Sequence, residues 1–155
     1  KVSILPRGEA ALGFSQQKPD DKKLYTQYYV LSQICVLLGG RSAEKIFYQE
    51  LSSGAHDDIE KVTQLMEHYY KNWGMSKKYG PLNFNNLKIK QDSKITKSII
   101  SAVKKLEKFT IEVLTNNKEQ VEKLANKLLE KETIENKDIM TVLDNSLENS
   151  VEITL

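Results

Sequence analysis

A single cysteine, three prolines, two histidines and no long apolar run set the first limits on this 155-residue chain. One thiol, Cys35, cannot form an internal disulfide or a cysteine-based metal knuckle, since both need at least two. Its setting, Ile34-Cys35-Val36-Leu37-Leu38, assigns it to core packing. A membrane-spanning helix needs about 20 consecutive apolar residues, and no stretch approaches that. With 23 basic and 21 acidic residues the net charge is only +2, so nucleic acid is not an expected partner. His56 and His68 stand outside any H-E-x-x-H pattern, and no G-x-x-x-x-G-K-S/T phosphate loop occurs. The length suits one domain with a real core.

What is present reads as mainly α, with a small β-hairpin at the start and a helical bundle at the end. Val2 and Ile4 before Pro6-Arg7-Gly8 suggest a strand running into a turn, and Leu12 to Gln16 suggests the returning strand. Pro19-Asp20-Asp21 marks a loop. From Thr26, a good N-cap, to about Gln49 apolar residues recur at helical spacing. That helix is apolar nearly all round and is expected to be buried. Gly39-Gly40 within it costs about 1 kcal/mol each relative to alanine, which predicts a close backbone approach there. Arg41 is expected to pair with Glu44, to hold a carboxylate elsewhere, or to be solvated.

A second helix is predicted from about Ala55 to Asn72, with Ile59, Val62, Met66, Tyr69 and Tyr70 or Trp73 as its stripe and Gly74 at C′. Residues 74–92 read as irregular, with 85–91 expected to be mobile. Asp92 or Ser93 caps a long helix reaching about Leu114, which Asn116-Asn117 breaks. Two shorter helices follow, one through Val121 to Leu129 and one after Asn136. The close of the chain, from Asn145 to Leu155, is expected to be loose.

The chemistry concentrates in Leu51-Ser52-Ser53-Gly54-Ala55-His56-Asp57-Asp58-Ile59-Glu60. Ser52 or Ser53 serves as N-cap, and Asp57, Asp58 and Glu60 fall in the first helical turns, where the helix dipole favours acids. An ordinary helix start explains these residues by itself. Asp58 precedes Ile59 and so lies at the border of the buried face, a suitable place for a metal ligand. His56, two residues away, could reach the same ion as Asp58, or be a surface residue or a neighbour of that ligand, and His68, between Glu67 and Tyr69, is read as no ligand.

The flanking segments add a resemblance. Lys1-Val2-Ser3-Ile4-Leu5-Pro6-Arg7-Gly8, Leu12-Gly13, Leu24-Tyr25-Thr26, Leu38-Gly39-Gly40-Arg41-Ser42-Ala43-Glu44-Lys45-Ile46, Trp73-Gly74-Met75-Ser76 and Gly80-Pro81-Leu82 occur in that order around the Gly-Ala-x-x-Asp segment. The series resembles the peptidase domain of the FtsH family, membrane-anchored, ATP-dependent zinc metalloproteases. It covers Lys1 to about Phe84, with a weaker echo from Leu129 to Ile134. Asp57-Asp58-Ile59 and Lys61-Val62-Thr63-Gln64 look closer to the mitochondrial inner-membrane members.

The resemblance implies a helical peptidase domain: a core portion at 1–84, a variable loop at 85–92 and a helical bundle of the same domain at 93–155. It implies zinc as cofactor, with Asp58 as the third ligand. The other two ligands and the general base belong to an H-E-x-x-H helix expected upstream of Lys1, so no catalytic residue is assigned within the chain. The parent is expected to be a homo- or hetero-hexamer that degrades unfolded or membrane proteins, using ATP and Mg in an ATPase domain outside the chain. It would be anchored by a separate N-terminal segment, in the mitochondrial inner membrane or another organellar or bacterial membrane. The chain alone is expected to be inactive. The alternatives are a non-catalytic FtsH-like pseudo-protease and a helical assembly or interaction module.

Overall fold

The computed structural model describes residues 1–6, 13–16, 24–87, 93–143 and 153. Mainly helical architecture is what these residues adopt, and they divide into two compact units. The Pro6-Arg7-Gly8 turn beyond Pro6, the Pro19 loop, the variable loop from 88 and the alternative cap Asp92 lie outside the described residues.

The first unit comprises Lys1–Lys23 and Asn116–Glu152. Strand β1 (Val2–Ser3) pairs antiparallel with β2 (Phe14–Ser15), which is the expected hairpin. Its other edge is covered by β3 (Thr133–Ile134), also antiparallel, so the sheet order is β2-β1-β3. Ser3 is buried, and its hydroxyl lies 2.8 Å from Thr133 Oγ1. Gly13 allows the strands to close up, because a Cβ there would sit 2.7 Å from the Ser3 carbonyl oxygen.

Helix α4 (Lys118–Lys131) ends where Glu132 turns left-handed at φ 57, and α5 (Asn136–Leu143) follows the strand. Asp138 on α5 ties the corner together: Lys127 and Lys131 reach its Oδ1 at 3.4 and 3.0 Å, and the Glu135 N–H donates to Oδ2.

The second unit comprises Leu24–Thr115 and Ile153–Leu155. Helix α1 (Gln27–Phe47) starts at Thr26, whose side chain accepts the Tyr29 N–H as a cap should. Its buried line is Val30, Ile34, Leu38 and Ser42, with Leu31 beside it, the three-and-four spacing of one helix face. Val62, Met66, Tyr69 and Tyr70 meet that line. The long helix α3 (Ser93–Asn116) completes the core with Ile95, Ala102 and Leu106. Each fully buried aliphatic side chain of this kind contributes about 1.5–3 kcal/mol. Cys35 packs against this core, and burial pushes its thiol up despite a hydrogen bond involving Thr110.

Three expectations need correction. Gly39 and Gly40 are not squeezed by a neighbour: a Cβ at either would meet nothing within 4 Å among the described residues. They flank the buried line rather than lie on it, and Gly40 is exposed. Nor is α1 buried all round, since Val36 and Tyr28 are more than half exposed. The predicted 55–72 helix is a composite of a 3₁₀ turn (Ser53–Ala55), α2 (His56–Glu67) and a π-helical turn (His68–Asn72). In the wide turn the Trp73 N–H bonds back to the His68 carbonyl at 2.8 Å, and both Tyr69 and Tyr70 are buried. Gly74, at φ +59, ends it at the C′ position as expected.

Candidate metal centre

The segment leading into α2 is braced from α1. Ser52 accepts the Gly54 N–H at 3.1 Å and donates its own hydroxyl to Glu44 Oε1, while its N–H reaches Glu44 Oε2 at 3.1 Å. These hydrogen bonds hold the Glu44 carboxyl below its ordinary range. Ala55 then buries itself, and the chain enters α2 with Asp57 and Asp58 in the first turn. Negative charge is well placed in a first helical turn, near the partial positive end of the helix dipole.

Asp58 is the residue singled out as a ligand, and the fold places it at the half-exposed border of α2. Its Oδ1 lies 3.8 Å from Lys61 Nζ, with side-chain exposures of 45% and 60%. A pair that exposed is worth roughly 0–1 kcal/mol, so the ammonium does not commit the carboxylate. His56 is exposed, and residues two apart on a helix do not face each other, so it does not converge with Asp58. His68 lies ten residues along, about 15 Å at the helical rise. It is occupied elsewhere, stacked on Trp73 at 5.0 Å and 2.6 Å from the Asn72 amide through Nδ1.

Among the described residues no three His, Cys, Asp or Glu side chains gather where a metal ion could be held. Structural and catalytic zinc sites need three or four protein ligands, so these residues alone do not fit zinc. Asp58 offers one oxygen donor and nothing on the described surface completes it.

Two grooves flank α2. One, about 470 Å³, runs between α1 and α2 past Tyr25, Lys61, His68 and Trp73. The other, about 490 Å³, is apolar and is lined by Ile59, Val62, Ile99 and Val103. It explains why Ile59, expected in the buried stripe, is 39% exposed: it stands at a groove mouth. At that groove's margin Arg41 finds the distant carboxylate that was one expectation for it. Glu107 accepts from Arg41 Nε at 3.3 Å and Lys45 Nζ at 2.7 Å. Burial pushes the Glu107 carboxyl up, but the two cations outweigh it and hold it low. The brace at Glu44 and the clamp at Glu107 join residues separated by 8 and 62–66 positions, and no local pattern announced either.

The stretch that carries the quoted segments is matched by a family. The profile of peptidase family M41 covers residues 1–142. The chain belongs to that family. This M41 chain is 40% identical over 153 residues to a mitochondrial ATP-dependent zinc metalloprotease FTSH 8 of Oryza sativa subsp. japonica. It is 38% identical over 154 residues to AFG3L1, a mitochondrial inner membrane m-AAA protease component of Mus musculus. It is 35% identical over 161 residues to the ATP-dependent zinc metalloprotease FtsH of Marinobacter nauticus. The alignments take in 92–93% of the M41 chain but only 19% of the first two relatives and 25% of the third. The chain thus spans a fifth to a quarter of the relatives' length, and its likeness is to the FtsH-type peptidase domain. Among the described residues no helix is long and apolar enough to cross a membrane.

Proposed function

We propose that this chain is the later portion of the peptidase domain of an ATP-dependent zinc metalloprotease and that Asp58 is one of its three zinc ligands. The observation that carries the reading is the placement of Asp58. It lies in a Gly-Ala-x-x-Asp segment within the stretch matched by family M41, at a braced helix start, and among the described residues its carboxylate is approached by an exposed lysine 3.8 Å away. The two histidine ligands and the glutamate base come from an H-E-x-x-H helix outside the chain. Without them the 155-residue chain is inactive.

In the complete protein this domain acts in a membrane-anchored hexamer that degrades unfolded or membrane proteins, with ATP and Mg used in a separate ATPase domain. The mitochondrial relatives favour the mitochondrial inner membrane as its location.

The test compares the chain with the complete protein. The purified chain should bind zinc weakly, should bind it more weakly still as Asp58→Ala, and should cleave no unfolded substrate. In the complete protein Asp58→Asn should remove zinc and proteolysis while ATP hydrolysis persists. Zinc-dependent cleavage by the pure chain, abolished by Asp58→Ala, would overturn the inactive-segment reading. A complete protein that binds no zinc would favour the non-catalytic assembly module instead.

A further inference from the structure

The apolar groove of about 490 Å³ is walled by α2 and α3, and Asp58 is not among its lining residues. Val62, Ile99 and Val103 line its floor. Ile59 and Ile100 stand at its lips, 39% and 50% exposed, one on each helix. Aliphatic side chains that converge on one open trough, rather than scatter over a surface, mark a contact site. The trough is also long. On α3 its lining runs from Thr96 to Glu107, three helical turns or about 16 Å, and the α2 wall from Ile59 to Lys71 is of similar length.

The two walls differ in charge. On the α2 side Glu67 and Lys71 neutralise each other at 2.6 Å. At one end Glu107 answers both Arg41 and Lys45, which leaves a surplus of positive charge there. On the α3 side Lys97, Lys104 and Lys108 follow one another at seven and four residues, so they share one strip of the helix, beside the strip that carries Ile100. All three are exposed, and among the described residues no ion pair holds any of them.

We propose that this trough is a docking site for an amphipathic partner helix, which sets aliphatic side chains into the groove and carboxylates against the α3 lysines. Length argues for a helix, since anchors at i, i+3 or i+4, and i+7 match a groove three turns long. The lysine strip argues for acids along one flank, because cations without partners favour and orient an oppositely charged surface. A single-tailed lipid would need one cation at one end, whereas these lysines run the length of the wall. The site lies apart from the metal reading, so zinc content and the Asp58 variants do not bear on it.

Peptide titration of the purified full chain, followed by amide chemical shifts, tests it. The probe is a synthetic helix of about five turns, or about 18 residues, with leucines at i, i+3, i+4 and i+7 and glutamates on one flank. It should bind saturably, shift amides at 59–67 and 96–107, and weaken in high salt. The same peptide with lysine in place of glutamate should bind about tenfold more weakly. In the surface double variant Lys104→Glu, Lys108→Glu that preference should reverse, and unchanged melting midpoints should show the fold intact. Ile100→Ser should weaken both peptides by about tenfold, the loss of one half-exposed aliphatic contact. Equal affinity for the two peptides, or shifts outside the trough, overturns the proposal. So does a trough that shifts with dodecanoate and not with the glutamate peptide, or one whose shifts follow chain concentration alone, because the occupant would then be a lipid tail or a second copy.

Discussion

Ser52 gives two hydrogen bonds to Glu44, one from its hydroxyl to Oε1 and one from its backbone N–H to Oε2 at 3.1 Å. A single carboxylate on α1 thereby holds the turn from which Asp58 departs. Ser52→Ala removes the hydroxyl from both Glu44 and the Gly54 N–H, and loss of such a cap costs about 1 kcal/mol. Glu44→Gln should cost less, because the amide oxygen still accepts. The Glu44 carboxyl is held below its ordinary 4.5 in the folded state, so its contribution is full above that value and is lost as pH falls through the lowered one. Urea unfolding of wild type and Glu44→Gln should therefore give curves that converge in acid. A constant gap between pH 7 and pH 3 would refute the charge-based brace.

Gly74 and Gly40 should answer an alanine in opposite senses. At Gly74 φ is +59, and a Cβ would lie 2.8 Å from Pro81 Cα, so Gly74→Ala meets both strain and a backbone clash. The strained torsion alone costs about 1–3 kcal/mol. At Gly40 the helix is regular and the space is open, so Gly40→Ala should stabilise the chain by about 0.5–1 kcal/mol. Thermal melts of the two variants should move the midpoint down and up respectively.

Asp138 should set an acid limit on the α4–α5 corner. Hydrogen bonds from Lys131 first, then from the Glu135 backbone and Lys127, hold its carboxyl down from 3.8 to about 2. A depressed folded value means the clamp is intact above pH 4 and opens as pH falls toward 2. Amide protection in α5, taken relative to the intrinsic exchange rate at each pH, should fall over that interval in the wild type. In Asp138→Asn protection should be low already at neutral pH and nearly flat with acid.

Glu107 should matter more to stability than either cation it serves. Its side chain is 21% exposed and faces Arg41 and Lys45, so Glu107→Ala takes from a guanidinium and an ammonium the carboxylate they share. About 1–3 kcal/mol is the expected loss, scaled down from a buried pair because Lys45 is a third exposed. Arg41→Ala and Lys45→Ala should each cost less, since the other cation still holds the carboxylate. Single and double variants measured by denaturant unfolding, with and without high salt, give the coupling.

Much of this protein was determined by its sequence locally. The α1 cap at Thr26, the stripes through Val62 and Met66 or Ile95 and Leu106, the left-handed Gly74 and the β1–β2 hairpin all follow from neighbouring residues acting on a short stretch of backbone. So does the position of Asp58 at a helix start, because acids and small caps act within one turn.

Tertiary structure decided what depends on distant groups meeting. β3 covers β1 across some 130 residues, Glu107 claims Arg41 and Lys45 from another helix, and Ile153 returns to a corner built by Leu31 and Tyr70. The π-helical turn belongs with these, since burying Tyr69 and Tyr70 together is a demand of the core and not of the helix that carries them. Such contacts have no period or fixed spacing along the chain, so their physical cause, complementary shape and charge across space, exists only once the chain has folded.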